Sequence, residues 1–433
     1  MTRLIMLAAL ALATAADAQT RIDVQRPDAP EQAAYGSYAV GVRTLELTRP
    51  DLVDVTAIAA DAPLSDPLPL TDRQLVTEVW YPAGDGADGA TTMDAYLRDG
   101  RTVVTLAGLA VRDAKPSGDG PFPLVIVSHG YPGNRFLLAH LAENIASKGY
   151  VVASIDHQDS TYRDQDAFGS TLVHRPGDQV FVLEEMARLD AEVGFLEGLV
   201  DAERTAIVGY SMGGYGAVIA AGGGVSEAAV DLSFGAPHGL LSVNRSGAIE
   251  APMDPRIQTI IAFAPWGRSR DVWTAEGLGG VAVPTFLIAG SQDDVSGYED
   301  GVRLMWEEMT GTDRALLTFE HANHNAAAPY PAPDVSYQFD EELGFAPFEH
   351  YADAVWDTTR MNNIAQHFVT VWLDAYLRGE AEAVGYLDLI PVAEEGVWAM
   401  DESGNQAEDH TYWRGFANRT AKGLRFEWLR AGE

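Results

Sequence analysis

Six short, uninterrupted apolar runs recur through the middle of this chain, and the first three each lead into a stretch with helical spacing. Residues 124–128 (LVIVS) precede a helical pattern over 136–148, and 151–155 (VVASI) precede one around 180–199. Residues 205–209 (TAIVG) lead into 212–221, and 259–264 (TIIAFA), 285–289 (TFLIA) and 315–319 (ALLTF) continue the series. Runs of Val, Ile and Leu without polar alternation suit strands buried on both faces. Strands alternating with helices imply an α/β chain, a mostly parallel sheet wrapped by helices on both sides. Two earlier segments, 40–47 (VGVRTLEL) and 75–81 (LVTEVWY), alternate apolar and polar residues and predict antiparallel strands ahead of the parallel block.

The flanks read differently. Residues 1–18 (MTRLIMLAALALATAADA) carry Arg3, a short apolar stretch and a small-x-small end, which predicts an export signal cleaved after Ala18 and hence a periplasmic or secreted protein. Residues 19–37 are polar, contain Pro27 and Pro30, and are expected to be a loose lead-in. Segments 51–71 and 84–120 are rich in Gly, Asp, Pro and Ala and read as loops or excursions. Residues 361–378 (MNNIAQHFVTVWLDAYLR) form an amphipathic pattern stopped by Gly379. The chain therefore divides into one domain over 38–380 and a C-terminal extension, 381–433, packed on it. In that extension 411–429 predicts a strand pair.

Charge and composition exclude several partners and chemistries. With 63 acidic and 29 basic residues the formal net charge is -34, a field that repels nucleic acid and anionic lipid surfaces. No later run approaches the roughly 18 apolar residues of a membrane span, so no membrane anchor is expected. The chain contains no cysteine, which rules out disulfides, thiolate metal sites and a cysteine nucleophile.

Gly209-Tyr210-Ser211-Met212-Gly213 is a G-x-S-x-G motif with an apolar strand before it and a small-residue helix after it. A serine on so sharp a turn is pushed out at the head of the helix, where the helix N-terminus favours developing negative charge. A serine hydroxyl needs a base, and the base needs a carboxylate to orient it. On such a scaffold the expected chain order is Ser, then acid, then His. The run 285–289 is followed by Gly290-Ser291-Gln292-Asp293-Asp294, making Asp293 the preferred acid and Asp294 its rival. The run 315–319 is followed by Glu320-His321-Ala322-Asn323-His324, with His324 preferred over His321 as base. His321-x-x-His324 lacks the helix and carboxylate of a metal pair, so no metal is expected there. The backbone N–H groups of Met212 and Tyr131 are the expected oxyanion donors, Gly130 allowing the bend that aims the second. His129 and histidines 140, 157, 174, 238, 350, 367 and 410 read as structural or surface groups. Tyr131, Phe136 and Trp266 are candidates for an apolar substrate pocket.

Taken together, residues 124–156, the GYSMGG of 209–214 and the EHANHN of 320–325 resemble the α/β-hydrolase superfamily. The nearer likeness is to its bacterial dienelactone-hydrolase-like branch, akin to platelet-activating-factor acetylhydrolases and cutinase-type polyester hydrolases. Residues 175–183 (RPGDQVFVL) look like the segment that branch carries before its nucleophile strand. The resemblance covers roughly residues 38–380. It implies the α/β-hydrolase fold, with antiparallel N-terminal strands, and supports Ser211, Asp293 and His324 as a triad. True dienelactone hydrolases use a cysteine, so the serine here favours ester hydrolysis over the literal family name. Segment 326–348, rich in Pro and aromatics, and the C-terminal extension have no counterpart in the family; either is a candidate roof for the pocket.

The expected activity is hydrolysis of a small or polymeric carboxylic ester through an acyl-enzyme, with no metal or organic cofactor required, and turnover falling on the acid side as the base protonates. Two alternatives carry different signatures. A prolyl-oligopeptidase-like peptidase shares the serine motif but needs a propeller, for which the hundred or so residues before Leu124 show no repeat. A non-catalytic binding protein on the same scaffold would be expected to have lost a triad member.

Overall fold

The computed structural model describes residues 19–433 apart from 85, 88, 166 and 246–252, so the segment read as an export signal lies outside the described residues. The strands are β1 (Thr20–Arg21), β2 (Ala39–Val53), β3 (Leu70–Ala83), β4 (Thr92–Tyr96), β5 (Val103–Ala107), β6 (Val111–Arg112), β7 (Phe122–Ser128), β8 (Val151–Ile155), β9 (Val200–Tyr210), β10 (Ile257–Phe263), β11 (Thr285–Gly290), β12 (Arg314–Phe319) and β13 (Leu424–Leu429). Ten of them form one sheet in the order β13-β12-β11-β10-β9-β7-β8-β3-β2-β6. The block from β12 to β8 is parallel throughout, and each apolar run of the sequence falls on one of its six strands. β2 and β3 join it antiparallel, as their alternating pattern predicts.

Burial on both faces explains the unbroken apolar runs. Val125 and Val127 of β7 face one side, with Leu141 and Ile145 of helix α1 (Ala139–Ala146) and Phe368 and Trp372 of the Thr358–Leu373 helix. Leu124 and Ile126 face the other side, with Leu183 and Met186 of α2 (Phe168–Asp190) and Tyr215 and Val218 of α3 (Met212–Ala220). Period-two alternation along the strand assigns the faces, and each such side chain contributes about 1.5–3 kcal/mol of burial free energy.

Four expectations need correction. The excursion 84–120 is not all loop: β4 and β5 pair antiparallel and β5 takes β1 in parallel, making a separate three-stranded sheet. The lead-in is not loose, because the Arg26 N–H donates to Asn363 Oδ1 (2.9 Å) and the Gln32 N–H to His367 Nδ1 (3.0 Å). The helix expected around 180–199 starts earlier, at Phe168, and ends at Asp190. The strand pair expected over 411–429 is a single strand, β13, which adds antiparallel to β12, while Trp413 and Phe416 pack on Phe368.

Candidate active site

The C-terminal ends of β7, β9, β11 and β12 meet at one edge of the sheet, where open parallel sheets place their ligand crevices. Ser211 sits between the end of β9 and the start of α3 with φ 52° and ψ -109°, a backbone conformation uncommon for a side-chain-bearing residue. The surroundings over-determine that conformation. Its N–H donates to the Phe263 carbonyl (2.8 Å), and its carbonyl accepts from Tyr215 N–H (3.0 Å) and Trp266 N–H (3.1 Å). The flanking glycines are sterically required. A Cβ on Gly209 would stand 2.3 Å from the Gly213 backbone, and one on Gly213 would stand 1.9 Å from the Ser128 carbonyl oxygen.

His324 follows β12 and is buried, as is Asp293, which follows β11. The His324 Nδ1 lies 2.9 Å from Asp293 Oδ1 and 3.0 Å from Oδ2. Asp293 Oδ1 also accepts the backbone N–H groups of Val295 (2.9 Å) and Ser296 (2.8 Å), which fix the carboxylate in place. The Tyr210 ring lies tilted against the His324 imidazole at 5.2 Å, and its hydroxyl donates to Asn325 Oδ1 (3.2 Å). Burial and the charges of Asp293 and Asp294 push that phenol above its ordinary range, so it stays protonated. The rivals do not join this pair: Asp294 is solvent-exposed at the rim of the same cavity, and His321 is exposed with a positive φ of 68°.

Met212 opens α3, so its N–H belongs to the first helical turn, which lacks intrahelical acceptors. Tyr131 lies in the loop after β7; its hydroxyl donates to the Gln165 carbonyl and its ring packs edge-on against Phe168 at 5.1 Å. Beneath that loop runs a buried polar network. Arg175 of α2 donates to the His129 carbonyl (2.7 Å) and to Ser160 Oγ (2.5 Å). His157 bridges Ser128 Oγ (2.9 Å) and Asp178 Oδ2 (3.2 Å), and Asp178 also accepts from Arg73 (3.0 Å) and Arg49 (3.1 Å). Burial pushes the Asp178 carboxyl up, but Arg73, His157 and Arg49 more than offset it and hold the group below the usual carboxylate range. Burial, then the Arg175 charge, lowers His157 to about 3, so that imidazole is neutral. Burial lowers Arg175 to about 9, which leaves it cationic at neutral pH.

Ser211, His324, Tyr131 and Tyr210 line one cavity of about 500 Å³, together with Arg98, Phe345, Phe348 and His350. Segment 326–348 thus supplies part of the wall, whereas the extension beyond residue 380 supplies none of it. The expectation that Phe136 and Trp266 line this cavity is not met. Phe136 is buried in the core, edge-on to Trp80, and the Trp266 ring packs among Phe168, Tyr215 and Phe234. Phe345 and Phe348 fall within the segment expected as a roof, whereas sequence reasoning missed Arg98 and His350, since nothing local marks them as neighbours of a serine more than a hundred residues away.

Comparison with known proteins bears on the same region. A family model described as PET hydrolase-like matches residues 115–239, which include Ser211 and the loop after β7. The chain is 25% identical to a bis(hydroxyethyl) terephthalate hydrolase of Streptomyces coelicolor over 211 residues, covering 48% of this chain and 52% of that protein. It is 24% identical to cutinase est1 of Thermobifida alba over 212 residues, covering 49% of this chain and 56% of that protein. It therefore spans about half the length of the curated relatives it matches. A ferulic acid esterase from Streptomyces cinnamoneus superposes with a TM-score of 0.53 at 20% identity, covering 84% of this chain and 94% of that one. With the strand order above, that likeness makes the fold an α/β-hydrolase fold.

Proposed function

We propose that the chain is a serine hydrolase of carboxylic esters, with Ser211 as nucleophile, His324 as general base and Asp293 as the carboxylate that orients it. The observation that carries this reading is the bonded pair of His324 Nδ1 and Asp293 (2.9 and 3.0 Å), of which His324 lines the cavity that Ser211 also lines. In this reading His324 takes the Ser211 proton as Oγ attacks the ester carbonyl. Asp293 fixes the imidazole tautomer and stabilises the imidazolium. The N–H groups of Met212 and Tyr131 bind the tetrahedral oxyanion, each worth on the order of hundredfold in turnover. His324 then protonates the leaving alcohol, and water repeats the cycle on the acyl-enzyme. The relatives' names, a bis(hydroxyethyl) terephthalate hydrolase, a cutinase and a ferulic acid esterase, favour small or polymeric esters. The catalytic unit corresponds to residues 38–380, with 381–433 completing its sheet edge. Export to the periplasm or medium follows from the reading of residues 1–18, and no described helix is long and apolar enough to cross a membrane.

The test is a panel of p-nitrophenyl esters of graded acyl length, with fluorophosphonate labelling, on wild type, Ser211→Ala, Asp293→Asn and Asp294→Asn. Ser211→Ala should lose labelling and turnover. Asp293→Asn should lower kcat by about three to four orders of magnitude, and Asp294→Asn by no more than a few fold. Full activity in Ser211→Ala overturns the reading.

A further inference from the structure

Among the described residues, Arg98 is a cation without an anion. It follows β4 in the turn closed by the Leu97 and Thr102 backbone bonds, and it lines the cavity that holds Ser211. Its guanidinium donates to the neutral Gln165 Oε1 (3.1 Å) and lies 5.8 Å from the Phe345 ring centroid. It forms no ion pair among the described residues, although most arginines of this acidic chain do. Its neighbour Arg101, for example, pairs with Asp340 and Glu342. The acids that share the cavity do not answer Arg98. Asp353 is occupied by the N–H groups of Asn323 (2.6 Å), Val355 (2.7 Å) and Trp356 (2.7 Å), and Asp294 and Glu349 are solvent-exposed.

A second group in the same wall is also unsatisfied. His350 Nε2 is buried and has no hydrogen-bond partner among the described residues, and its ring is fixed edge-on between Tyr162 (5.4 Å) and Tyr351 (5.3 Å). A buried polar atom left unpaired costs roughly 1–3 kcal/mol, and one carried by a cavity-lining side chain can recover that cost by bonding whatever fills the cavity. The aromatic rings of Phe345, Phe348 and Tyr131 stand in the same cavity.

We infer that Arg98 and His350 form a carboxylate subsite, and that the preferred substrate is an ester carrying a second, ionised carboxylate on an aromatic ring, as in a half-ester of an aromatic dicarboxylic acid. This rests on the esterase reading: the ester carbonyl meets Ser211 while the far carboxylate accepts from the guanidinium, with the ring between the aromatic walls. Arginine suits a carboxylate because its planar fork offers two parallel donors.

The test compares kcat/KM on monomethyl terephthalate, which is anionic, and dimethyl terephthalate, which is neutral at the far end, for wild type, Arg98→Met, Arg98→Lys and His350→Phe. Intrinsic reactivity cancels in each wild-type-to-variant ratio. Arg98→Met should lower the anionic-to-neutral selectivity about tenfold or more, Arg98→Lys should restore part of it, and His350→Phe should lower it less. Equal losses on both esters, or unchanged selectivity, overturn the subsite. A second arm needs no turnover: terephthalate dianion binding, measured by calorimetry on wild type and Arg98→Met. Weakening by tenfold or more supports the subsite and equal affinity refutes it. If wild type hydrolyses neither ester, the esterase reading is what fails for these substrates, and the binding arm alone decides the subsite.

Discussion

Gly213 presses its Cα so close to Ser128 that a Cβ would stand 1.9 Å from the Ser128 carbonyl oxygen. This contact ties α3 to the end of β7 and so sets the spacing between Ser211 and the loop that carries Tyr131. The obstacle is backbone on both sides, so no rotamer change relieves it. Gly213→Ala should therefore push α3 away from β7, costing at least the 1–3 kcal/mol typical of overpacking and lowering ester turnover further than the loss of folded protein explains. Thermal unfolding and kcat on one p-nitrophenyl ester check this together. Wild-type turnover in a soluble Gly213→Ala protein would show that the contact yields.

Acidification below about pH 6.5 should destabilise the fold through its buried histidines. Burial lowers His140 and His174 to about 4, and His157, His350 and His367 to about 3, with neighbouring cations helping at all but His140. His129 is lowered well below its ordinary value. An unfolded histidine titrates near 6.5, so between about 6.5 and 4 the unfolded chain binds protons that the folded chain refuses. Stability then rises with pH across that window and falls as pH drops through it. The slope approaches about 1.4 kcal/mol per pH unit for each such histidine. Relief of the net charge of -34 acts in the opposite direction, so the sign is informative. Unfolding temperatures measured from pH 8 to pH 5 should decline below about 6.5. A flat or rising curve would mean that the histidine contribution does not exceed the relief of net charge, which overturns the prediction.

The parallel strands were legible because each is buried on both faces and therefore spelled as an unbroken apolar run. The bonded pair of Asp293 and His324 was legible because each lies just past such a run. α2 was legible only in part. Pro176 and Gly177 stand near its middle, and a proline removes the N–H that would bond the carbonyl four residues earlier. Here that carbonyl, Leu172 O, accepts the Tyr215 hydroxyl (3.0 Å) and Asn244 Nδ2 (2.8 Å) instead. Those partners come from elsewhere in the chain, which is why local propensity could not reveal a helix running through the proline. Arg98 and His350 escaped notice for a related reason: among the described residues Arg98 stands out by lacking an anionic partner and His350 Nε2 by lacking a hydrogen-bond partner, and a missing partner is a property of the folded neighbourhood.

The loop between β7 and α1 is held at both ends from below. Arg175 donates to the His129 carbonyl (2.7 Å) and to Ser160 Oγ (2.5 Å), while the Gly133 N–H donates to the Ser160 carbonyl (3.0 Å). The adjacent turn of the same helix reaches α3, where Gln179 Nε2 donates to the Gly213 carbonyl (2.9 Å). α2 therefore sets the positions of both proposed oxyanion donors without touching substrate. Arg175→Met should lower kcat tenfold or more while changing KM less, because a displaced donor weakens transition-state binding selectively. Arg175→Lys should restore little, since one ammonium does not reproduce the geometry of a fork spanning two acceptors. The rate of fluorophosphonate labelling at Ser211 should fall in parallel with kcat. A variant that melts earlier yet keeps wild-type kcat in its folded fraction would reduce Arg175 to a packing role.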